Sequence, residues 1–258
     1  MWRVWFLGLV QGLTEFLPIS SSGHLIVVKY WFALPAPGAS LEVALHLGTL
    51  IAIVVGYRQE LWQWTHDLFQ GSYPARQLLY HVFLATLPAA ALGYFFEDRV
   101  VAYFIPSAVI VGWAVTSLLL WLTPVPTSDP YRSIESLAPW EVLAIGTMQS
   151  LALWPGLSRS GSTIFMGRLF RLSPETCAQF SFYLAIPVLS GAFVLTWWRH
   201  PLQHPFSTPF ALSGTIVAAI SGLFAIKWVK SALKRPRVWR RFGLYTFGMA
   251  ILTWWLGG

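Results

Sequence analysis

Two short polar runs interrupt an otherwise apolar chain: Ser20-Ser21-Ser22-Gly23-His24 and Ser158-Arg159-Ser160-Gly161. Gln11 and Glu15 precede the first of them and, four residues apart, share one face of a helix. An ionisable side chain within apolar sequence is costly and points to function, which singles out Glu15 and Arg159. A buried ion pair alone adds little net stability, so their company matters more than their attraction. One carboxylate beside one amide suits a divalent cation, Mg2+ or Ca2+, that completes its shell with water and phosphate oxygens. No His/Cys cluster has zinc spacing. His24, near the carboxylate, is a candidate to move a proton. Serines that open a helix cap it, but free N–H groups and the positive helix end also make an anion site. Gly23 and Gly161 let backbone approach an oxyanion closely, and Arg159 adds a forked donor. Catalytic roles therefore go to Glu15, Ser21, His24 and Arg159. Phosphate contacts go to Ser20, Ser22, Gly23, Ser158, Ser160 and Gly161, and cation binding to Gln11 and Glu15. The attacking group stays open between Ser21 and a water activated by Glu15 or His24.

The elements that must position these residues belong in lipid. Of 258 residues 56% are hydrophobic and 10% charged, and mean hydropathy is +0.59. Soluble domains carry about 25% charged residues, so a freely soluble enzyme is excluded. Disulfide scaffolds are excluded too, because Cys177 is alone. Six stretches have the length and apolar content of spanning helices: Leu41–Tyr57, Leu78–Phe96, Val100–Leu122, Ala178–Trp198, Pro209–Ile226 and Phe242–Leu256. Polar connections separate them at Arg58–Gln77, Glu97–Arg99, Thr123–Pro139, Arg199–Thr208 and Lys227–Arg241. Two further apolar stretches, Trp2–Trp31 and Trp140–Phe170, are broken in the middle by proline, glycine and serine. Each reads as a re-entrant pair of short helices, since irregular backbone at membrane depth must face protein or a wet cavity. Glu42 and His46 share a face near the start of the first span and are candidates for the cavity mouth. His46 and His81 otherwise read as helix-packing residues.

The broken stretches are copies of each other. A shift of 138 positions matches Gly8, Gln11, Leu13, Ser20, Ser22, Gly23 and Ile26 with Gly146, Gln149, Leu151, Ser158, Ser160, Gly161 and Ile164. Such internal copies mark duplicated membrane folds. Three spans follow each broken stretch, so the second copy must be inverted. The expected fold is one all-α membrane domain over residues 1–258, made of inverted repeats at about 1–123 and 139–258. The copies have diverged in their chemistry: Leu153 stands opposite Glu15, Arg159 opposite Ser21 and Ser162 opposite His24.

Charge sets the orientation. Lys227, Lys230, Lys234, Arg235, Arg237, Arg240 and Arg241 share one connection without an acidic residue, which the positive-inside rule makes cytoplasmic. Arg58, Arg76, Arg132, Arg168 and Arg171 then fall inside as well, and Arg3, Lys29, Arg99 and Arg199 outside. Anionic lipid headgroups, rather than nucleic acid, are the partner for such a basic cluster.

At Gln11-Gly12-Leu13-Thr14-Glu15, at Ser20 to His24, and at the PGxSRSGxT run from Pro155 to Thr163, the sequence closely resembles the undecaprenyl-diphosphate phosphatase family of the bacitracin-resistance type. All three motifs occur in order, and the helix pattern agrees over essentially the whole chain. The resemblance implies hydrolysis of undecaprenyl diphosphate to the monophosphate carrier of bacterial cell-wall synthesis. It also implies a divalent cation, a place in the bacterial plasma (inner) membrane and a site open to the periplasmic side. The first acidic position of the family motif is Gln11 here, which leaves one carboxylate for a cation. The expected partners are the polyprenyl diphosphate, membrane lipids and, as a further candidate, a second copy of the chain in a homodimer.

A transporter or flippase of the lipid phosphate is the rival reading, because inverted repeats with broken helices are transporter architecture. The one-sided placement of Glu15, Ser21 and His24 argues for an enzyme. A phosphatidate-type phosphatase is set aside, since no histidine follows Arg159 before His200.

Overall fold

The computed structural model describes residues 1–33, 39–124, 130–199, 209–232 and 238–257. Among the described residues the regular structure is helical, with one isolated bridge between Arg132 and Leu172. The helices are α1 (Trp2–Glu15), α2 (Ser21–Trp31), α3 (Ala39–Gly56), α4 (Arg58–Phe69), α5 (Tyr73–Ala102) and α6 (Pro106–Leu122). They continue as α7 (Pro139–Leu151), α8 (Arg159–Leu169), α9 (Pro174–Arg199), α10 (Pro209–Ala232) and α11 (Val238–Trp255).

Both broken stretches are pairs of short helices. The chain leaves α1 after Glu15 and re-enters a helix at Ser21; it leaves α7 after Leu151 and re-enters at Arg159. Pro18 and Pro155 lie inside the breaks, where their missing N–H groups cost no helical bond. Each restart is capped alike. Ser20 Oγ accepts the Gly23 N–H at 3.3 Å, and Ser158 Oγ accepts the Gly161 N–H at 3.1 Å.

By length and composition α5, α9 and α10 can cross a membrane. A fourth crossing arises if α3 and α4, bent by 71° at Tyr57, count as one. The expected six therefore become three or four on this measure. The 17 residues of α6 reach about 26 Å, and α11 opens with Arg240-Arg241. Large apolar side chains nevertheless stay exposed along these helices, among them Phe83, Phe95, Val111, Leu118, Leu244 and Trp254. An outward apolar surface of that extent belongs in lipid. The molecule is an all-helical membrane protein.

Boundaries differ from expectation in three places, one of them the basic connection Lys227–Arg241, where α10 runs on to Ala232 and α11 begins at Val238. Glu97–Arg99, expected as a connection, is helical: α5 runs on to Ala102 and only Phe96 leaves helical geometry, at φ −126° and ψ 18°. The turn falls at residues 103–105, because Pro106 opens α6 and holds Ile105 extended. The Arg58–Gln77 connection is largely the helix α4, which buries no side chain fully. Residues 125–129, 200–208 and 233–237, within three of the expected connections, lie outside the described residues, and with them Lys234, Arg235 and Arg237.

Packing pairs the two halves crosswise. α1 lies on α10 as α7 lies on α5, and α6 lies along α11. The two contacts with the short helices share a device. A Cβ on Gly8 would come within 2.5 Å of the Gly214 carbonyl, and one on Gly146 within 2.4 Å of the Ala85 carbonyl. The core seats the breaks: Phe16 meets Phe182 of α9 edge-on at 5.5 Å and is fully buried.

Candidate active site

Both breaks are fastened to α6. Trp113 Nε1 donates to the Ile19 carbonyl at 2.9 Å, and Thr116 Oγ1 donates to the Gly156 carbonyl at 3.0 Å while accepting the Ser158 N–H at 3.0 Å. The breaks also brace each other, because Ser160 Oγ donates to the Leu17 carbonyl at 3.0 Å. Two interruptions 138 residues apart in sequence thus become one polar junction.

Glu15 is its hub. The Ser21 hydroxyl donates to Glu15 Oε2 at 2.5 Å, the length of a charge-assisted O–H···O bond. Gln11 Nε2 donates to the same oxygen at 3.0 Å, across one helical turn. Arg159 Nη2 reaches the other oxygen, Oε1, at 2.8 Å, and its Nη1 donates to the Ser181 carbonyl of α9 at 2.8 Å. The first short helix thus ends in an acid, the second begins with a hydroxyl against that acid, and the opposite repeat supplies the guanidinium. Glu15, Ser21 and Arg159 are brought together as the residue types suggested. A hydroxyl held by a carboxylate is an arrangement in which a nucleophile would have its base at hand.

Backbone strain sits at the same point. Ser20 has φ +66° and ψ +101°, a region that residues other than glycine rarely enter. His24 secures it: Nδ1 lies 2.6 Å from the Ser20 carbonyl, and Nε2 lies 2.8 Å from the Tyr245 hydroxyl. The ring stacks on Tyr245 and meets Trp113 edge-on. Both ring nitrogens of His24 are thus taken up by Ser20 and Tyr245, and its contact with the junction runs through the Ser20 peptide.

A cavity of about 700 Å³ opens over the junction, a size suited to a small ligand or a lipid headgroup with the start of its chain. Glu15, Ser20, Ser21, Ser22, Ser158 and Arg159 line it. Gly23, Ser160 and Gly161 do not: a Cβ on Gly23 would press on Trp113 and Gly156, and Gly161 packs toward Pro18. These three, with the buried Gln11 and His24, shape the junction instead of its wall. The wall also includes the apolar Ile26, Leu153, Leu157, Val188 and Leu189 and the charged Lys29, Glu42 and Glu97.

Three residues of this wall went unassigned or were read otherwise in the sequence. His46 is not only a packing residue: Nε2 stands 3.7 Å from Glu15 Oε2, with Nδ1 at 2.7 Å from the Glu42 carbonyl. Its four-residue spacing from Glu42 was the available signal. Lys29, read only as an outside charge, pairs with Glu42. Gln149, the repeat counterpart of Gln11, places Nε2 at 3.4 Å from the Ala85 carbonyl.

Among the described residues no three His, Cys, Asp or Glu side chains form a metal cluster. Gln11 is fully buried, and its Oε1 has no hydrogen-bond partner in the protein. A buried acceptor oxygen of that kind, one helical turn from Glu15, fits the donor set of a hard divalent cation that takes its other ligands from phosphate and water.

Residues 4–252 match the family model described as bacitracin resistance protein BacA. The chain is similar to an undecaprenyl-diphosphatase of Rubrobacter xylanophilus, 39% identical over 95% of this chain and 94% of the relative. It is also similar to one of Moorella thermoacetica, 36% identical over 89% and 87%. A third relative, from Nitratidesulfovibrio vulgaris, bears the same name and is 34% identical over 96% and 95%.

Proposed function

The chain belongs to the bacitracin resistance protein BacA family, and from that premise we propose how its junction hydrolyses undecaprenyl diphosphate to undecaprenyl phosphate and orthophosphate. The observation that carries the assignment of roles is the Ser21–Glu15 contact of 2.5 Å, with Arg159 on the far oxygen of the same carboxylate. Ser21 gives its proton to Glu15 as its Oγ attacks the terminal phosphorus. The bond from that phosphorus to the bridging oxygen breaks, and lipid monophosphate leaves with the proton that Glu15 hands on, which frees the carboxylate for the second step. A water then attacks the phosphoserine, its proton passing to Glu15, and Ser21 regains a proton as orthophosphate departs. Arg159 meets the charge that moves onto the phosphate oxygens. The capped, strained start of α2 directs N–H groups at the same region.

A divalent cation, Mg2+ or Ca2+, would be held by Gln11 and Glu15 and would supply neutralisation of the diphosphate charge. The lining favours such help: Glu15, Glu42 and Glu97 stand against Lys29 and Arg159 as the charged groups of the described wall. The crosswise packing of α1 on α10 and α7 on α5 supports an inverted repeat. The cavity extends from the junction toward Lys29 at the end of α2 and Glu97 near the end of α5. Charge bias puts that side outside, which supports a site open to the periplasm.

The test is purified full-length protein in detergent with undecaprenyl diphosphate, followed by released orthophosphate with and without Mg2+. Turnover that falls in chelator and is lost in Glu15→Gln supports the reading. Gln11→Glu should stay within about ten-fold of wild type, since it keeps an oxygen ligand. Undiminished turnover in excess chelator would remove the cation from the scheme.

A further inference from the structure

We propose that Lys29 is a second cation for the substrate's diphosphate, held by Glu42 until the headgroup takes its place. This rests on the reading that the cavity receives a lipid diphosphate. Lys29 lies on the cavity wall with only 8% of its surface exposed, and its amine pairs with Glu42 on the same wall. Arg159, the other cation of the described lining, is engaged by Glu15 and the Ser181 carbonyl. Glu97 is held by Arg199 and the one guanidinium of the described wall is shared with Glu15, so a diphosphate with at least two negative charges gains from a second protein cation even beside a divalent ion.

Position favours Lys29 as the supplement. Ser22, Ile26 and Lys29 all line the cavity from α2, at spacings of four and three that keep them on one stripe. Ser22 and Lys29 are about 10 Å apart along that helix. Helical side chains lean toward the N-terminus of their helix, so the flexible stem of Lys29 can swing toward Ser21 and Ser22 when its amine leaves Glu42. With the terminal phosphate at Ser21 and Arg159, the inner, lipid-bearing phosphate would lie farther along the cavity that Lys29 also lines. Leaving Glu42 for that phosphate exchanges a single negative charge for a denser one.

The two partners of this ion pair then have opposite effects, which a purely structural pair would not show. Steady-state KM and kcat for undecaprenyl diphosphate, inhibition by inorganic pyrophosphate and the thermal midpoint would be measured for wild type, Lys29→Met, Lys29→Arg and Glu42→Gln. Lys29→Met should raise KM and weaken pyrophosphate inhibition about ten-fold or more, with kcat changed far less. Lys29→Arg should recover most of the loss. Glu42→Gln should lower KM and tighten inhibition, because it frees the amine. Unchanged KM in Lys29→Met, or KM moving the same way in Lys29→Met and Glu42→Gln, overturns the proposal. Absence of orthophosphate release by the wild type would defeat the functional reading itself, and the variants would not be needed to see it.

Discussion

The two breaks begin their second helices in the same way and use the starts differently. Ser20 and Ser158 cap with the same N–H three residues on, and each hydroxyl lies near the serine two positions later, at 3.2 and 3.3 Å. The next residue is Ser21 in one break and Arg159 in the other, and both turn to Glu15. Strain is divided unequally. The first break carries it at a serine, Ser20, whereas the second has its positive φ, +84°, at Gly156, where no side chain opposes it. A Cβ at Gly156 would also collide with the Val109 carbonyl at 2.4 Å, so glycine there is a packing necessity. Two helix starts capped in the same way meet at one carboxylate; in the proposed scheme one of them reacts and the other grips.

That division makes equivalent positions unequal in effect. Ser21→Ala removes the nucleophile and should cost about a thousand-fold or more in kcat, while Ser158→Ala, which removes a neutral capping hydroxyl on the cavity wall, should cost about ten-fold or less. Equal losses in steady-state assays, with expression and thermal stability matched, would break the comparison. Arg159→Lys keeps charge but loses the fork that spans Glu15 and the Ser181 carbonyl, so kcat/KM should fall about a hundred-fold. Near-normal turnover would reduce Arg159 to a counter-charge. His24 should matter less than either: His24→Ala loosens the Ser20 peptide and should lower kcat about ten-fold to a hundred-fold. Tyr245→Phe, which touches only the far ring nitrogen, should cost under about ten-fold. A Tyr245→Phe loss as large as that of Ser21→Ala would mean the imidazole reaches the chemistry directly.

Helix starts and breaks were legible because they rest on local rules: serine caps, prolines and glycines lie where the short helices stop and restart. Glu15 and Arg159 stood out because charge inside apolar sequence is costly. Helix ends were harder. Glu97, Asp98 and Arg99 look like a loop, yet Glu97 is tied to Arg199, 102 residues away, and the helix continues through them. The directions of buried side chains were not legible at all. His24 turns to Tyr245, 221 residues distant, and His46 approaches Glu15 only because α3 packs beside α1. Spacing along one helix gives a shared face but does not say which neighbour that face meets.

The claim that one break reacts while the other grips is tested most directly by equilibrium binding of a non-hydrolysable lipid diphosphate analogue to folded Ser21→Ala and Arg159→Ala. The account predicts that Ser21→Ala binds within about three-fold of wild type and that Arg159→Ala binds about a hundred-fold more weakly, since a charge-assisted grip is lost. Weak binding by Ser21→Ala together with wild-type binding by Arg159→Ala would contradict it.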